Sequence, residues 1–260
     1  MSTLEALWLG IVQGLTEFLP VSSSGHLVMA QALLGLDQPG LVFEVAVHVA
    51  TLLSVLVVYR ERVAFLATGA LRGEAEAWRY VAKLGVATLP AVALVLVAGD
   101  LLEGLFERPA VVGIALLGTG CILLSTRYTM PAARDPEPGW GAALSIGFAQ
   151  ALAIVPGISR SGSTVAAGLA LGVAPAAAAE FSFLISVPAI LGAAVRSLGD
   201  LSAIPASAVA PMVVGAVAAG LSGIAAIQLF VRLLRTRAFH RFAYYAWGAG
   251  AAFLAWLAWA

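Results

Sequence analysis

Apolar residues run in long blocks along this chain, at about 41–59, 84–102, 109–126, 176–195, 207–229 and 242–259. As helices these blocks can each cross a hydrocarbon core of about 30 Å, so six membrane crossings are expected. Four further apolar segments, about 4–19, 24–36, 141–155 and 162–172, are too short; sixteen helical residues rise only about 24 Å. They form two pairs. The first pair is interrupted by Pro20-Val21-Ser22-Ser23-Ser24-Gly25, and the second by Pro156-Gly157-Ile158-Ser159-Arg160-Ser161-Gly162. Such stretches favour non-helical backbone, which is tolerated at membrane depth only where protein or a wet cavity satisfies its polar groups. Each pair therefore reads as a re-entrant helix-loop-helix, with the breaks lining a cavity.

The two interrupted pairs are copies of one plan. At a fixed offset of 137 residues, Gly10, Gln13, Leu15, Ser22, Ser24, Gly25, Val28, Leu34 and Gly35 meet Gly147, Gln150, Leu152, Ser159, Ser161, Gly162, Val165, Leu171 and Gly172. Each half then holds one re-entrant pair and three crossings. An odd number of crossings makes the second half enter from the opposite side. The expectation is an all-α, polytopic, single integral membrane domain over residues 1–260, built as an inverted-topology repeat of halves at about 1–130 and 138–260.

Composition agrees with a membrane protein: 61% of residues are hydrophobic and 11% charged, against about 25% charged in soluble domains, and the mean hydropathy is +0.98. The formal net charge is zero, so sidedness of Lys and Arg carries more information than their sum. With the 60–83 loop in the cytoplasm, eleven of the fourteen basic residues fall on that side, while Arg108 and Arg196 lie opposite and Arg160 sits in the second break. Both termini are then outside. The first re-entrant loop enters from outside and the second from the cytoplasm, so their tips can meet near the midplane. The start of the chain lacks the basic region and cleavage site of a signal peptide, so the first helix is expected to be retained. The single cysteine, Cys121, lies in the apolar run Val111–Leu124 and is expected to be a small buried core residue.

Most of the polar chemistry sits in the two copies. Gln13 and Glu17 are one helical turn apart on one face. They are followed by Ser22, Ser23, Ser24 and His26, which adds hydroxyls and an imidazole to the carboxylate. An ionisable group inside a membrane is costly and marks a functional site whose partner should be named. For Glu17 that partner is Arg160. A guanidinium fork matches phosphate geometry, and the glycines, hydroxyls and amides of Ser159, Arg160, Ser161 and Thr164 at a helix start suit an oxyanion. Glu44 and His48, one turn apart in the first full crossing, form a supporting pair at the cavity rim or an extra cation contact. Glu180, the counterpart of Glu44 in the second half, is expected to brace the second break.

These residues also carry a family resemblance. Gln13-Gly-Leu-Thr-Glu17-Phe-Leu-Pro-Val-Ser-Ser-Ser-Gly-His26 resembles the (E/Q)XXXE block and following serine-histidine stretch of the BacA/UppP family of undecaprenyl-diphosphate phosphatases. Pro156-Gly-Ile-Ser-Arg-Ser-Gly-Ser-Thr164 resembles that family's PGXSRSXXT block, and the likeness extends through Phe43-Glu44 and Glu180-Phe181-Ser182-Phe183 over essentially the whole chain.

The resemblance implies hydrolysis of undecaprenyl diphosphate to the monophosphate carrier lipid and inorganic phosphate, with a divalent cation, Mg²⁺ or Ca²⁺. The site would face outward across a bacterial cytoplasmic membrane, and the activity would recycle carrier lipid for peptidoglycan and confer bacitracin tolerance. Glu17 then matches the second acid of the block, Ser23 and His26 the catalytic pair, and Arg160 the phosphate-binding arginine. Ser22, Ser24, Ser159, Ser161 and Thr164 are candidate phosphate contacts, and Glu17 with Gln13 the candidate metal ligands. Gln13 departs from members with two acids, and its amide supplies a hard cation with only a neutral oxygen. Ser23 is the first candidate nucleophile, with His26 as its base or as a proton donor; direct attack by His26 stays open. The partners expected are a polyprenyl diphosphate and the bilayer, with a homodimer allowed and no nucleic acid. A carrier that moves polyprenyl phosphate between leaflets is the competing reading, because a broken-helix repeat with a phosphate-gripping arginine suits transport as well.

Overall fold

Ser2 starts the first helix with a capping box: its hydroxyl accepts from the Glu5 amide while the Glu5 carboxylate accepts from the Ser2 amide. The computed structural model describes residues 1–34, 41–196 and 206–259. Among these it has eleven α-helices: α1 Thr3–Phe18, α2 Ser23–Leu34, α3 Leu41–Val58, α4 Arg60–Leu71, α5 Ala75–Phe106, α6 Pro109–Thr129, α7 Trp140–Leu152, α8 Arg160–Ala170, α9 Pro175–Arg196, α10 Ala206–Arg235 and α11 Phe242–Trp259. The interrupted segments appear as the pairs α1–α2 and α7–α8, parted at the serine-rich breaks. Gly35 of the duplicated pattern lies outside the described residues.

Four helices, α5, α6, α9 and α10, are long and apolar enough to cross a membrane. A fifth span arises if α3 and α4, bent by 82° at Tyr59, count as one. Residues 60–71, expected as part of a cytoplasmic loop, are therefore helical. Charge on Arg60 and Glu61 reads as loop, but both side chains lie on the exposed side of α4 and leave its hydrogen bonding intact. Cys121 corrects another expectation: it is exposed on α6. Apolar neighbours predict burial only when the surroundings are water, and the outer faces here are themselves apolar, with Leu96 80% and Val97 87% exposed on α5.

Helices far apart in sequence pack together. Helix α1 packs chiefly on α10, α7 on α5, α6 on α11, and α3 on both α10 and α9. Two matched glycines allow close crossings: a Cβ on Gly10 would collide with the Gly215 carbonyl of α10, and one on Gly147 would stand 2.5 Å from the Ala87 carbonyl of α5. Small residues at such crossings let helices associate where lipid removes the hydrophobic drive. Beneath the first break runs a chain of edge-on aromatic contacts, Phe18–Phe183 at 5.4 Å, Phe183–Phe230 at 5.1 Å and Phe230–Phe239 at 5.4 Å. These buried rings tie α1, α9 and α10 together, starting from Phe18, the residue after Glu17. On another face, Lys83 of α5 bonds Glu137 at 2.8 Å, pinning the segment that leads into α7.

Candidate active site

The duplicated serines build the breaks first. Ser22 takes a left-handed conformation, φ 70°, and its hydroxyl accepts from the Gly25 amide at 3.3 Å. Ser159 caps α8 in the same way, accepting from the Gly162 amide at 3.1 Å. In each copy the capping hydroxyl lies 3.4 Å from the serine hydroxyl two residues on, Ser24 or Ser161. Thr119 of α6 anchors the second break, donating to the Gly157 carbonyl at 2.8 Å and accepting from the Ser159 amide at 3.0 Å. Replacing Thr119 by Val removes one hydroxyl and strands both buried backbone groups, at about 1–3 kcal/mol each. The apparent Tm of Thr119→Val in detergent should fall well below wild type, with Thr119→Ser restoring most of it.

The breaks meet at Glu17. Its carboxylate is 7% exposed and forms an ion pair with Arg160, the first residue of α8, 143 residues away. Its other oxygen accepts from the Ser23 hydroxyl at 2.7 Å and from the Gln13 amide nitrogen at 3.0 Å. His48 Nε2 stands 3.7 Å away, its Nδ1 held by the Glu44 carbonyl at 2.7 Å. Arg160 also donates to the Ser182 carbonyl at 3.4 Å. The Ser161 hydroxyl crosses to the Leu19 carbonyl at 3.3 Å, a second tie between the breaks.

The comparisons with known proteins bear on this cluster. The family model described as bacitracin resistance protein BacA matches residues 6–252. The chain belongs to the BacA family. It is thus a multi-pass membrane protein. It is 38% identical over 252 residues to the undecaprenyl-diphosphatase of Desulfatibacillum aliphaticivorans, covering 90% of this chain and 91% of that one. The undecaprenyl-diphosphatase of Desulforudis audaxviator is 44% identical over 200 residues, covering 76% and 77%. That of Cereibacter sphaeroides is 42% identical over 226 residues, covering 85% and 84%.

Within this BacA-family chain the structure brings Gln13, Glu17, Ser23, His48 and Arg160 together, and gives several expected residues other work. Ser23 donates to Glu17, whereas His26 places Nδ1 2.8 Å from the Ser22 carbonyl and Nε2 2.7 Å from the Tyr245 hydroxyl. Ser23 is thus hydrogen-bonded to Glu17, and His26 to Ser22 and Tyr245. Ser22, Ser159, Ser161 and Thr164, expected as phosphate contacts, here hold hydrogen bonds within the breaks. All four are buried, and Thr164 bonds the Arg160 carbonyl at 2.7 Å and the Ser182 hydroxyl at 2.6 Å. Glu180 pairs with Arg62 at 3.0 Å and accepts from the Tyr80 hydroxyl at 3.3 Å; it braces the bent helix α4 in place of the second break. The Glu44–His48 contact runs through the Glu44 carbonyl.

Sequence reasoning missed Ser182, Thr119 and Tyr245. Ser182 lies inside the Glu180–Phe183 stretch already singled out, and Thr119 is a lone hydroxyl in an apolar run, so both were findable. Nothing in the pattern marks Tyr245. Gln13 Oε1 is buried without a hydrogen-bond partner, which suits a cation ligand or a water. Among the described residues no three His, Cys, Asp or Glu side chains converge as a metal cage.

Proposed function

We propose that this protein hydrolyses undecaprenyl diphosphate to undecaprenyl phosphate and inorganic phosphate, recycling a carrier lipid for cell-envelope polymers. The observation that carries this reading is the cluster itself. Two breaks far apart in sequence join a carboxylate, a hydroxyl bonded to it, and a guanidinium in a buried spot. The names of the relatives point the same way.

In this reading the terminal phosphoryl group enters between Arg160 and Ser23, and Arg160 turns its fork from Glu17 to the phosphoryl oxygens. The freed Glu17 carboxylate takes the Ser23 proton as the serine oxygen bonds to phosphorus. The bond from phosphorus to the bridging oxygen breaks, and the lipid monophosphate leaves. Water then cleaves the phosphoserine to give inorganic phosphate and restore Ser23. Arg160 stabilises the charge on the equatorial oxygens throughout, the main requirement in phosphoryl transfer. Ser24, half-buried beside Ser23, can meet the phosphate, with Ser22, Ser159, Ser161 and Thr164 lining the two breaks around it. Glu17 and Gln13 Oε1 would hold a divalent cation, Mg²⁺ or Ca²⁺, whose chemistry is charge neutralisation of the diphosphate; the rest of its shell would come from substrate oxygens and water.

The same reading makes α1–α2 and α7–α8 re-entrant pairs of an inverted repeat with six crossings, α3 and α11 included. The exchange of partners, α1 on α10 and α7 on α5, supports it. The basic-residue bias favours both termini outside, and the family resemblance implies a cavity mouth on the outer side of a bacterial cytoplasmic membrane. The prenyl tail stays in the bilayer.

The test is inorganic phosphate release from undecaprenyl diphosphate by detergent-purified protein, with and without chelator. Release should depend on cation and fall at least about a hundredfold in Ser23→Ala. Trapped phosphoenzyme should carry its label on Ser23. Label on His26 overturns the serine route, and no release from folded wild-type protein across cations and prenyl lengths overturns the function in favour of the lipid carrier.

A further inference from the structure

His26 is bound on both ring nitrogens, and the second partner comes from the far end of the chain. Tyr245 of α11 lies 219 residues on, with its hydroxyl 2.7 Å from Nε2. The two rings are near-parallel, 7° apart with centroids at 5.8 Å. The other nitrogen, Nδ1, is 2.8 Å from the Ser22 carbonyl. A carbonyl oxygen only accepts, so Nδ1 carries hydrogen and donates. In the neutral ring Nε2 is then a bare lone pair that accepts from the Tyr245 hydroxyl, and in the imidazolium the direction reverses. Nε2 is therefore the only ring nitrogen able to exchange a proton without breaking the Ser22 bond, and Tyr245 covers it. Ser23, three residues earlier, is turned the other way, toward Glu17.

We infer that Tyr245 is a positioning residue for His26. It aims Nε2 away from Ser23, and His26 exchanges its proton only with the group that displaces the Tyr245 hydroxyl, a phosphoryl oxygen of the arriving substrate. Tyr245 is 50% exposed, so its ring can move aside without repacking the interior. This role deepens the phosphatase reading and rests on it for turnover, but the contact itself does not.

The experiment compares wild type with Tyr245→Phe, which keeps the ring and removes the hydroxyl. Carbethoxylation by diethylpyrocarbonate attacks the unblocked imidazole nitrogen and is read peptide by peptide by mass spectrometry. His48 and His240, the other two histidines of the chain, serve as internal references. His26 should react at least about fivefold faster in Tyr245→Phe while the references change less than about twofold. On undecaprenyl diphosphate kcat should fall about tenfold with KM within about twofold, and the limb of the pH–rate profile that is lost in His26→Gln should move. Tyr245→Trp, which restores an N–H donor on a ring, should return His26 to slow carbethoxylation. Equal His26 reactivity in wild type and Tyr245→Phe overturns the proposal, as does an unchanged kcat and pH profile in an active enzyme. If the phenylalanine variant does not fold, Tyr245→Met takes its place against the tryptophan variant. A wild-type protein that releases no phosphate sinks the function alone, and the carbethoxylation comparison still decides whether Tyr245 covers Nε2.

Discussion

Arg160→Gln is expected to lower phosphate release by at least about a thousandfold, because its guanidinium is the fixed side-chain charge that meets the transferring phosphoryl group. The same substitution leaves Glu17 buried and unpaired, which typically costs about 3–5 kcal/mol. Loss of activity alone would then be ambiguous between chemistry and folding. The double variant Glu17→Gln/Arg160→Gln separates them. It replaces a buried ion pair, joined across 143 residues, by two neutral amides that can still bond Ser23 and Gln13. Its apparent Tm should recover most of what Arg160→Gln loses, while turnover stays at the floor. Arg160→Lys keeps the charge and loses the fork, so it should fold near wild type yet retain only a small fraction of the rate. A folded Arg160→Gln that keeps more than about a tenth of wild-type turnover would place the phosphate elsewhere.

The ion pair was legible before any coordinates because physics leaves few options for a carboxylate in an apolar chain. Glu17 needed a cation, and Arg160 occupied the matching break of the other copy. The likeness of the two breaks was legible too: Gly25 and Gly162 donate to Ser22 and Ser159 in the same manner. The work done by those serines was not. A Ser/Gly-rich stretch before a helix encodes a helix cap and an anion cradle in the same letters, and only geometry shows that Ser159 and Thr164 already have protein partners.

Spacing likewise put Ser23 within reach of both Glu17 and His26 and left the choice to rotamers. Tyr245 was invisible because contacts between α2 and α11 leave no periodic trace. Cys121 and the helix at Arg60–Leu71 failed for a shared reason. Hydropathy separates membrane from water, but it cannot tell a protein interior from a lipid-facing surface, nor a charged loop from a charged helix lying along the boundary.

Gly157→Ala should be among the most destabilising single-methyl changes in the chain, and it tests how the site is carried by the backbone. Gly157 has φ 98°, a region that strains any residue with a Cβ by about 1–3 kcal/mol. The added methyl would also stand 2.5 Å from the Val112 carbonyl and 2.7 Å from the Ala115 Cβ, both on α6. Overpacking of that kind costs about 1–3 kcal/mol more. The backbone cannot yield freely, because the Gly157 carbonyl and the Ser159 amide are both fixed to Thr119. Arg160 follows one residue after Ser159, so any shift that relieves the methyl moves the guanidinium off Glu17. Gly248→Ala on α11, where a Cβ meets nothing within 4 Å, is the matched control and should leave folding and turnover near wild type. Size-exclusion profiles and thermal unfolding in detergent read the first effect, and phosphate release by the surviving folded fraction reads the second. A Gly157→Ala protein as stable and active as Gly248→Ala would mean that the second break is soft, and that Arg160 is aimed by the ion pair alone and not by the turn that precedes it.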